Sequence, residues 1–400
     1  MQLMPLLHKT LEKKLPFVHK TRLKSLMNVC SAAVTSNKLY LTGLGRSLLN
    51  KNKTSSNIQK VDRLLANKHI QKERNSFYSM INMYLIKEYS KPCIHIDWSC
   101  INRLTNLYVL RASVSMSGRS LVVYEECHPQ CKENNPAVHK TFLNRLKQMF
   151  PASVKPIIVT DAGFRAEWFN HILFLDWDFV GRVRNRNLVL LNNESCWRLS
   201  QTMFSQATGK PNCIGEGLLT KSSKVPVSFI LYKAADKNRH KLNRSKKRSN
   251  TGKSNEYSKT NKEPWVLVTS LSADKTNAIH IVNIYRQRMR IEENFRDTKC
   301  PHYGLGLKKS LTRTTARMSI LLLIAAIATF AAWIAGVFTT FIGKATDFQA
   351  HSAKVKSALS KVYLGREAIK RGFSITKKQL RMTLQLMYQI NLNILKEADL

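Results

Sequence analysis

The sequence predicts an α/β protein, with a mixed sheet carrying helices on its faces, a β-rich insertion, and helical N-terminal and C-terminal regions. Three observations predict it. Short β-rich runs separated by turn residues begin at Cys93. Helical and strand patterns then alternate, as they do where helices cover a sheet. Before residue 88 and after residue 345, the apolar residues recur at helical spacing. A chain of 400 residues with 44% hydrophobic content buries a large core and is not disordered as a whole.

Residues 1–88 read as a helical domain. "LTGLGRSL" places Leu41, Leu44 and Leu48 on one face, and "SSNIQKVDRLLANKHI" does the same with Ile58, Val61, Leu64 and Leu65, with Ser55 or Ser56 as the expected N-cap. Short helices, a Gly-containing turn and outward Lys and Arg fit either a helix-turn-helix-like DNA-binding unit or an ordinary helical bundle. Residues 89–184 form the first part of the core. "CIHIDWS", "LYVLRASVS" and "RSLVVYEE" read as strands and "AVHKTFLNRLKQMF" as a helix, followed by strand "KPIIVTD", helix "RAEWFNHILFL" and strand "DFVGRVR". Residues 185–270 break the pattern as the β-rich insertion. Within it, Lys233 to Lys262 is nearly free of apolar residues and reads as a basic loop able to grip phosphates, with Arg244, Lys246, Lys247 and Arg248 at its centre. "PWVLVTSL" returns as a strand and leads into residues 271–344, the second part of the core. Residues 345–400 are again helical and basic.

The formal net charge is +40, from 65 Lys and Arg against 25 Asp and Glu. So much like charge calls for a polyanion, with nucleic acid first and an acidic membrane surface second. The eight cysteines are scattered, which fits reduced cytoplasmic thiols. Only Cys127 and Cys131 cluster, and a structural zinc site needs a second close pair. The N-terminal stretch is too short in its apolar part and too charged after it for a signal peptide. Met318 to Ile342 carries no charge and is long enough to cross a membrane. Its alanine content, its isolation and the charged helix before it favour a buried core helix and no membrane partner.

In so basic a chain the acids stand out. Asp97 follows "CIHI" and Asp161 follows "PIIVT", each in or at the end of a buried β-run, where a charge is costly unless compensated. Aspartates at strand ends converge where ligands bind an α/β sheet, although an aspartate after a strand also caps a following helix. In "IYRQRMRIEENFRDTK", read as one helix, Tyr285, Arg288, Glu292 and Lys299 fall on one face, while Glu293 and Asp297 point away. The alternative is a solvated charged helix. Three carboxylates from two strands and a helix suffice for two Mg²⁺ ions, which prefer hard oxygen ligands and activate phosphodiester chemistry.

These stretches resemble bacterial insertion-sequence transposases with an RNase H-like DDE core, in the hairpin-forming cut-and-paste branch typified by insertion sequence ten and transposon five. The resemblance rests on "IHIDWS", "IVTDAGF" and a Y-x2-R-x3-E-x6-K signature through Tyr285, Arg288, Glu292 and Lys299. It implies that Asp97, Asp161 and Glu292 ligate two Mg²⁺ ions, with Mn²⁺ able to substitute. It implies that Arg288 and Lys299, supported by Tyr285, contact transposon-end phosphates, and that Trp265 stacks on a flipped base, where the residue-level alternative is a core tryptophan. Trp98 reads as packing. The resemblance further implies double-stranded DNA partners (terminal inverted repeats and target), N-terminal helices that read the repeats, C-terminal helices that join a homodimer, and a place at the bacterial nucleoid. A catalytically inactive DNA-binding derivative of such a core is the alternative function.

Overall fold

The computed structural model describes residues 2–86, 91–102, 104–116, 118–184, 187–235, 251, 252, 254, 263–272, 277–350 and 359–386. In chain order its elements are α1 (Leu3–Lys14), α2 (Lys20–Ser36), α3 (Leu41–Arg46), α4 (Thr54–Leu65), α5 (Lys68–Leu85), β1 (Cys93–Asn102), β2 (Leu107–Met116), β3 (Arg119–Pro129), α6 (Pro136–Gln148), β4 (Ile157–Thr160), α7 (Ala166–Phe174) and β5 (Asp178–Val183). They continue with β6 (Leu188–Leu191), β7 (Arg198–Leu199), β8 (Asn212–Leu219), β9 (Val225–Tyr232), β10 (Trp265–Thr269), α8 (Asn277–Arg286), α9 (Met289–Lys299), α10 (Thr315–Phe341) and α11 (Lys361–Lys370). The chain divides into two compact units, one of Met1–Val154 with Met289–Glu397 and one whose body is Lys155–Arg288.

In the first unit β1, β2 and β3 form an antiparallel meander in the order β3-β2-β1. The helices around it start where the sequence caps them. Asn67 Oδ1 accepts from the His69 and Ile70 amides at the head of α5, and Asn135 caps α6 with Pro136 as its first residue. Neither Ser55 nor Ser56 caps α4: the helix begins at Thr54, after Lys53 and with no side-chain cap. Residues 53–56 are exposed, so water can satisfy the first amides and no cap is required.

The uncharged run forms α10, whose residues from Met318 to Phe338 are almost wholly buried. It packs against α1, α2, α4, α5, α11 and β3, so the segment long enough to span a membrane is the central helix of this unit. Helix α11 crosses it at backbone contact. A Cβ on Gly365 would stand 1.7 Å from the Ala332 carbonyl oxygen, and one on Gly336 would stand 1.8 Å from that of Lys361.

In the second unit the strand order is β4-β5-β10-β9-β8-β6-β7. Strands β4 and β5 are parallel, with α7 as the crossover that parallel neighbours need, and the remaining pairs are antiparallel. The insertion therefore extends this sheet edgewise through β9, β8, β6 and β7. A three-strand meander, a helix and a parallel β4–α7–β5 pair follow one another in the order expected of an RNase H-like α/β core.

Candidate active site

The charged stretch around Glu292 is not one helix. Helix α8 ends at Arg286 and α9 begins at Met289. The chain turns between them through i→i−3 bonds, Gln287 N to Ile284 O at 3.2 Å and Arg288 N to Tyr285 O at 3.0 Å. Such bonds tighten the last turn of a helix and let the chain leave its axis. Tyr285 and Arg288 thus belong to the second unit, and Glu292 and Lys299 to the first. The four signature residues do not share one helical face.

In the first unit, α9 lies on the meander, and its polar residues are used for that contact. Arg119 Nε donates to Asp297 at 2.8 Å, and Arg119 Nη1 to Glu293 at 3.1 Å. Asn294 Nδ2 donates to the Ser120 carbonyl at 2.8 Å, and the Ser120 hydroxyl donates to the Arg290 carbonyl at 3.1 Å. Two of the helix's three acids are thus held by one arginine, while Glu292 is exposed. Lys299 Nζ donates to Ser99 Oγ at 2.7 Å and to the Cys100 carbonyl at 3.1 Å, both on β1. Glu292 precedes Lys299 by seven residues, within about 20° of the same helical face, so it projects on the β1 side of α9. Asp97 sits half-buried within β1, and its charge is felt at Lys299. Burial pulls the Lys299 ammonium down to about 8, helped by the charges of Arg111 and Lys308 and opposed by Cys100 and Asp97.

Trp98 packs, in keeping with its place in the sequence. Its indole N–H donates to His139 Nε2 at 2.8 Å, and its ring meets His128 edge-on at 5.6 Å. Burial, with the charge of His128, pulls His139 down to about 4, which keeps it neutral and able to accept. Cys127 is buried and Cys131 exposed, and all eight cysteines are free.

In the second unit Asp161 follows β4, and its Oδ1 accepts from the Gly163 amide at 2.8 Å, an Asx turn that fixes the carboxylate at the strand end. Tyr285 is buried nearby. Burial raises its phenol, the charges of Arg288 and Arg182 lower it, and Asp161 raises it. Its ring meets Trp265 edge-on at 4.9 Å, and Trp265, half-buried at the start of β10, meets Tyr232 at 5.5 Å. Arg182 lies on β5. Burial lowers its pKa, Arg184 and Arg288 add to the lowering, and Glu263, 3.8 Å away, opposes it. A cavity of about 580 Å³ beside Asp161 is lined by Gly163, Arg165, Arg184, Thr220 and Ser223 among others. No sequence signal marks Arg182 or Arg184 apart from their place in and after a strand. Arg244, Lys246, Lys247 and Arg248 lie outside the described residues.

Among the described residues no group of three or more His, Cys, Asp and Glu side chains is assembled as a metal site. Asp97 and Glu292 belong to one unit and Asp161 to the other. Residues 106–330, more than half the chain, match the family described as Transposase DDE domain. The chain belongs to the transposase DDE domain family. The matched stretch includes Asp161, Tyr285, Arg288, Glu292 and Lys299, and Asp97 lies ahead of it. No curated protein matches this DDE transposase chain. Among solved structures it is similar to a piggyBac transposase synaptic complex with hairpin DNA, at 12% identity and a TM-score of 0.41, over 92% of this chain and 76% of that one.

Proposed function

We propose that this DDE-family protein is an insertion-sequence transposase of the hairpin-forming cut-and-paste branch, acting on double-stranded DNA at the bacterial nucleoid. The observation that carries the reading is the family match running from before Asp161 through Lys299. In this reading Asp97, Asp161 and Glu292 hold two Mg²⁺ ions. Their donor chemistry fits: all three offer hard carboxylate oxygens. When bound, the ions supply an activated oxygen nucleophile and charge stabilisation at the leaving oxygen.

The chain's own residues bind and orient the DNA. Arg288 and Arg182 place two cations around Tyr285, which also feels the charge of Asp161, an arrangement suited to a phosphate. Trp265, half-buried with its ring held edge-on by two tyrosines, offers an indole to a displaced base. Water cleaves one strand at the element's end, leaving a 3′-hydroxyl and a 5′-phosphate. That hydroxyl attacks the opposite strand, forming a hairpin and releasing the flanking DNA. Water opens the hairpin, and the 3′-hydroxyls then attack target DNA, each displacing a 3′-oxygen from a target phosphodiester. Two copies of the chain, joined through their C-terminal helices, hold the two ends together.

The test is a gel assay with labelled element ends and Mg²⁺, in which nicks and then hairpins are expected. Shifted but uncut DNA would establish the inactive DNA-binding alternative, and cut ends without hairpins would establish a plain nuclease. Removing the charges of Arg244, Lys246, Lys247 and Arg248 is expected to weaken end binding and to flatten its logarithmic salt dependence by about one for each phosphate no longer neutralised. An unchanged slope would remove that segment from the DNA interface.

Lys299 gives a pH signature. In the free protein its ammonium is charged below about 8 and loses its proton as the pH rises through that value. An adjacent DNA phosphate favours the charged form and raises the pKa again. End binding at pH 9 is therefore expected to take up close to one proton at this site, read by calorimetry in buffers of different ionisation enthalpy. Lys299→Met should lose that uptake, and equal uptake by both proteins would place Lys299 away from the phosphate.

A further inference from the structure

We infer that Arg111 is a positioning residue that sets the rotation of the Glu292 helix against the strand carrying Asp97. The inference rests on the catalytic reading of those two acids. It starts from the register of the meander: Asp97 pairs with Arg111 across β1 and β2, and Arg111 pairs with Glu125 across β2 and β3. Directly opposed residues of antiparallel strands project to the same face. One rung of the sheet therefore carries acid, base, acid on the side where α9 lies.

Arg111 and Glu125 are 1% and 0% exposed. Arg111 Nε donates to Glu125 Oε2 at 2.7 Å, and Nη2 lies 2.6 Å from the same oxygen. Tyr78 OH, from α5, donates to Glu125 Oε1 at 3.3 Å. A guanidinium is planar and rigid, so holding two of its nitrogens fixes the direction of the third. That third nitrogen, Nη1, donates to Asn294 Oδ1 and, at 3.2 Å, to Thr298 Oγ1, while the guanidinium carbon lies 4.4 Å from the centre of the Phe295 ring. Asn294 and Thr298 are one turn apart on α9, so the pair defines a helical face. Glu292 and Lys299 lie about 130° further round the helix, beyond Phe295, with Lys299 on β1.

A buried ion pair is a poor source of stability, because apolar residues of similar size often serve as well. What apolar residues cannot supply is direction. A rotation of α9 by about 20° would carry a side-chain end some 6 Å from its axis through about 2 Å. Misplacement on the order of 1 Å can cost about a hundredfold in rate. Glu125 also neutralises Arg111, so the clamp adds no net cation beside Asp97.

Two variants test this. Arg111→Met with Glu125→Leu removes the pair without stranding a charge, and Arg111→Lys keeps a cation beside Glu125 but loses the fork. Both should bind element-end DNA as the parent does. Both should cleave it about a hundredfold more slowly, with the Mg²⁺ concentration for half-maximal cleavage raised about tenfold. Amide hydrogen exchange in Met289–Lys299 should quicken by about tenfold to a hundredfold, the equivalent of one missing hydrogen bond to a charged group, with β2 and β3 unchanged. Parent-like cleavage and Mg²⁺ dependence in a folded variant would overturn the inference, even with faster exchange, because the clamp would then be only structural. Should the double variant not fold, Arg111→Lys carries the test. Should the parent itself cut no DNA, the proposed function fails instead, and exchange in α9 alone decides whether Arg111 holds the helix.

Discussion

Glu292→Ala is expected to abolish end cleavage, lowering the rate roughly a thousandfold or more, because it removes several kcal/mol of charge stabilisation from the transition state. Asp97→Ala and Asp161→Ala should do the same, and all three variants should still shift end DNA. The informative contrast lies one residue along. Glu293 is partly exposed and pairs with Arg119, which also holds Asp297. Glu293→Gln removes an interaction of the kind worth at most about 1 kcal/mol, so cleavage should fall about fivefold at most. The two adjacent glutamates thus separate by more than two orders of magnitude in a single-turnover cleavage assay. Equal losses at both positions would mean that the helix, not the Glu292 carboxylate, is what cleavage needs.

The largest expected effect on stability lies far from these acids, where α10 and α11 cross. Gly365→Ala would place a methyl group 1.7 Å from the Ala332 carbonyl oxygen and within 2.6 Å of the Gly336 amide nitrogen. Both are backbone atoms, so no rotamer change relieves the clash and the helices must separate. Overpacking of this kind costs roughly 3 kcal/mol. The loss should appear as a lower midpoint in denaturant unfolding, with an unchanged midpoint showing that the crossing is looser than the backbone distances imply. Gly209→Ala, where an added Cβ meets nothing within 4 Å, is the matched control and should leave the midpoint nearly unmoved.

The elements that sequence periodicity marks clearly are those the structure contains. The strands of the meander, the helix from Pro136, the β4–α7–β5 unit and β10 all follow from alternating or continuous apolar runs bounded by turn residues. The long apolar run from Met318 is ambiguous by length alone, and the helices packed around it place it in a core. The break at Gln287 and Arg288 is invisible in the sequence, because neither proline nor glycine marks it and the flanking residues are good helix formers. Reading through it puts Tyr285 and Arg288 on the same helix as Glu292. The clamp of Arg111 on Asn294 and Thr298 is equally hidden. An arginine inside "LYVLRASVS" and a glutamate inside "RSLVVYEE" acquire a meaning only once turn lengths fix Arg111 opposite Glu125. Likewise Arg119, which holds Glu293 and Asp297, lies far from them in sequence.

Asp97 and Glu292 lie in one compact unit and Asp161 in the other. The central claim, that these three carboxylates share divalent ions beside the cleaved strand, is tested most directly by a crystal structure of the protein on its element-end DNA with Mn²⁺. Anomalous scattering from manganese is predicted between Asp97, Asp161 and Glu292, with the DNA 3′-end beside it. Manganese bound elsewhere, with any of the three carboxylates out of reach of it in the DNA complex, would contradict the account.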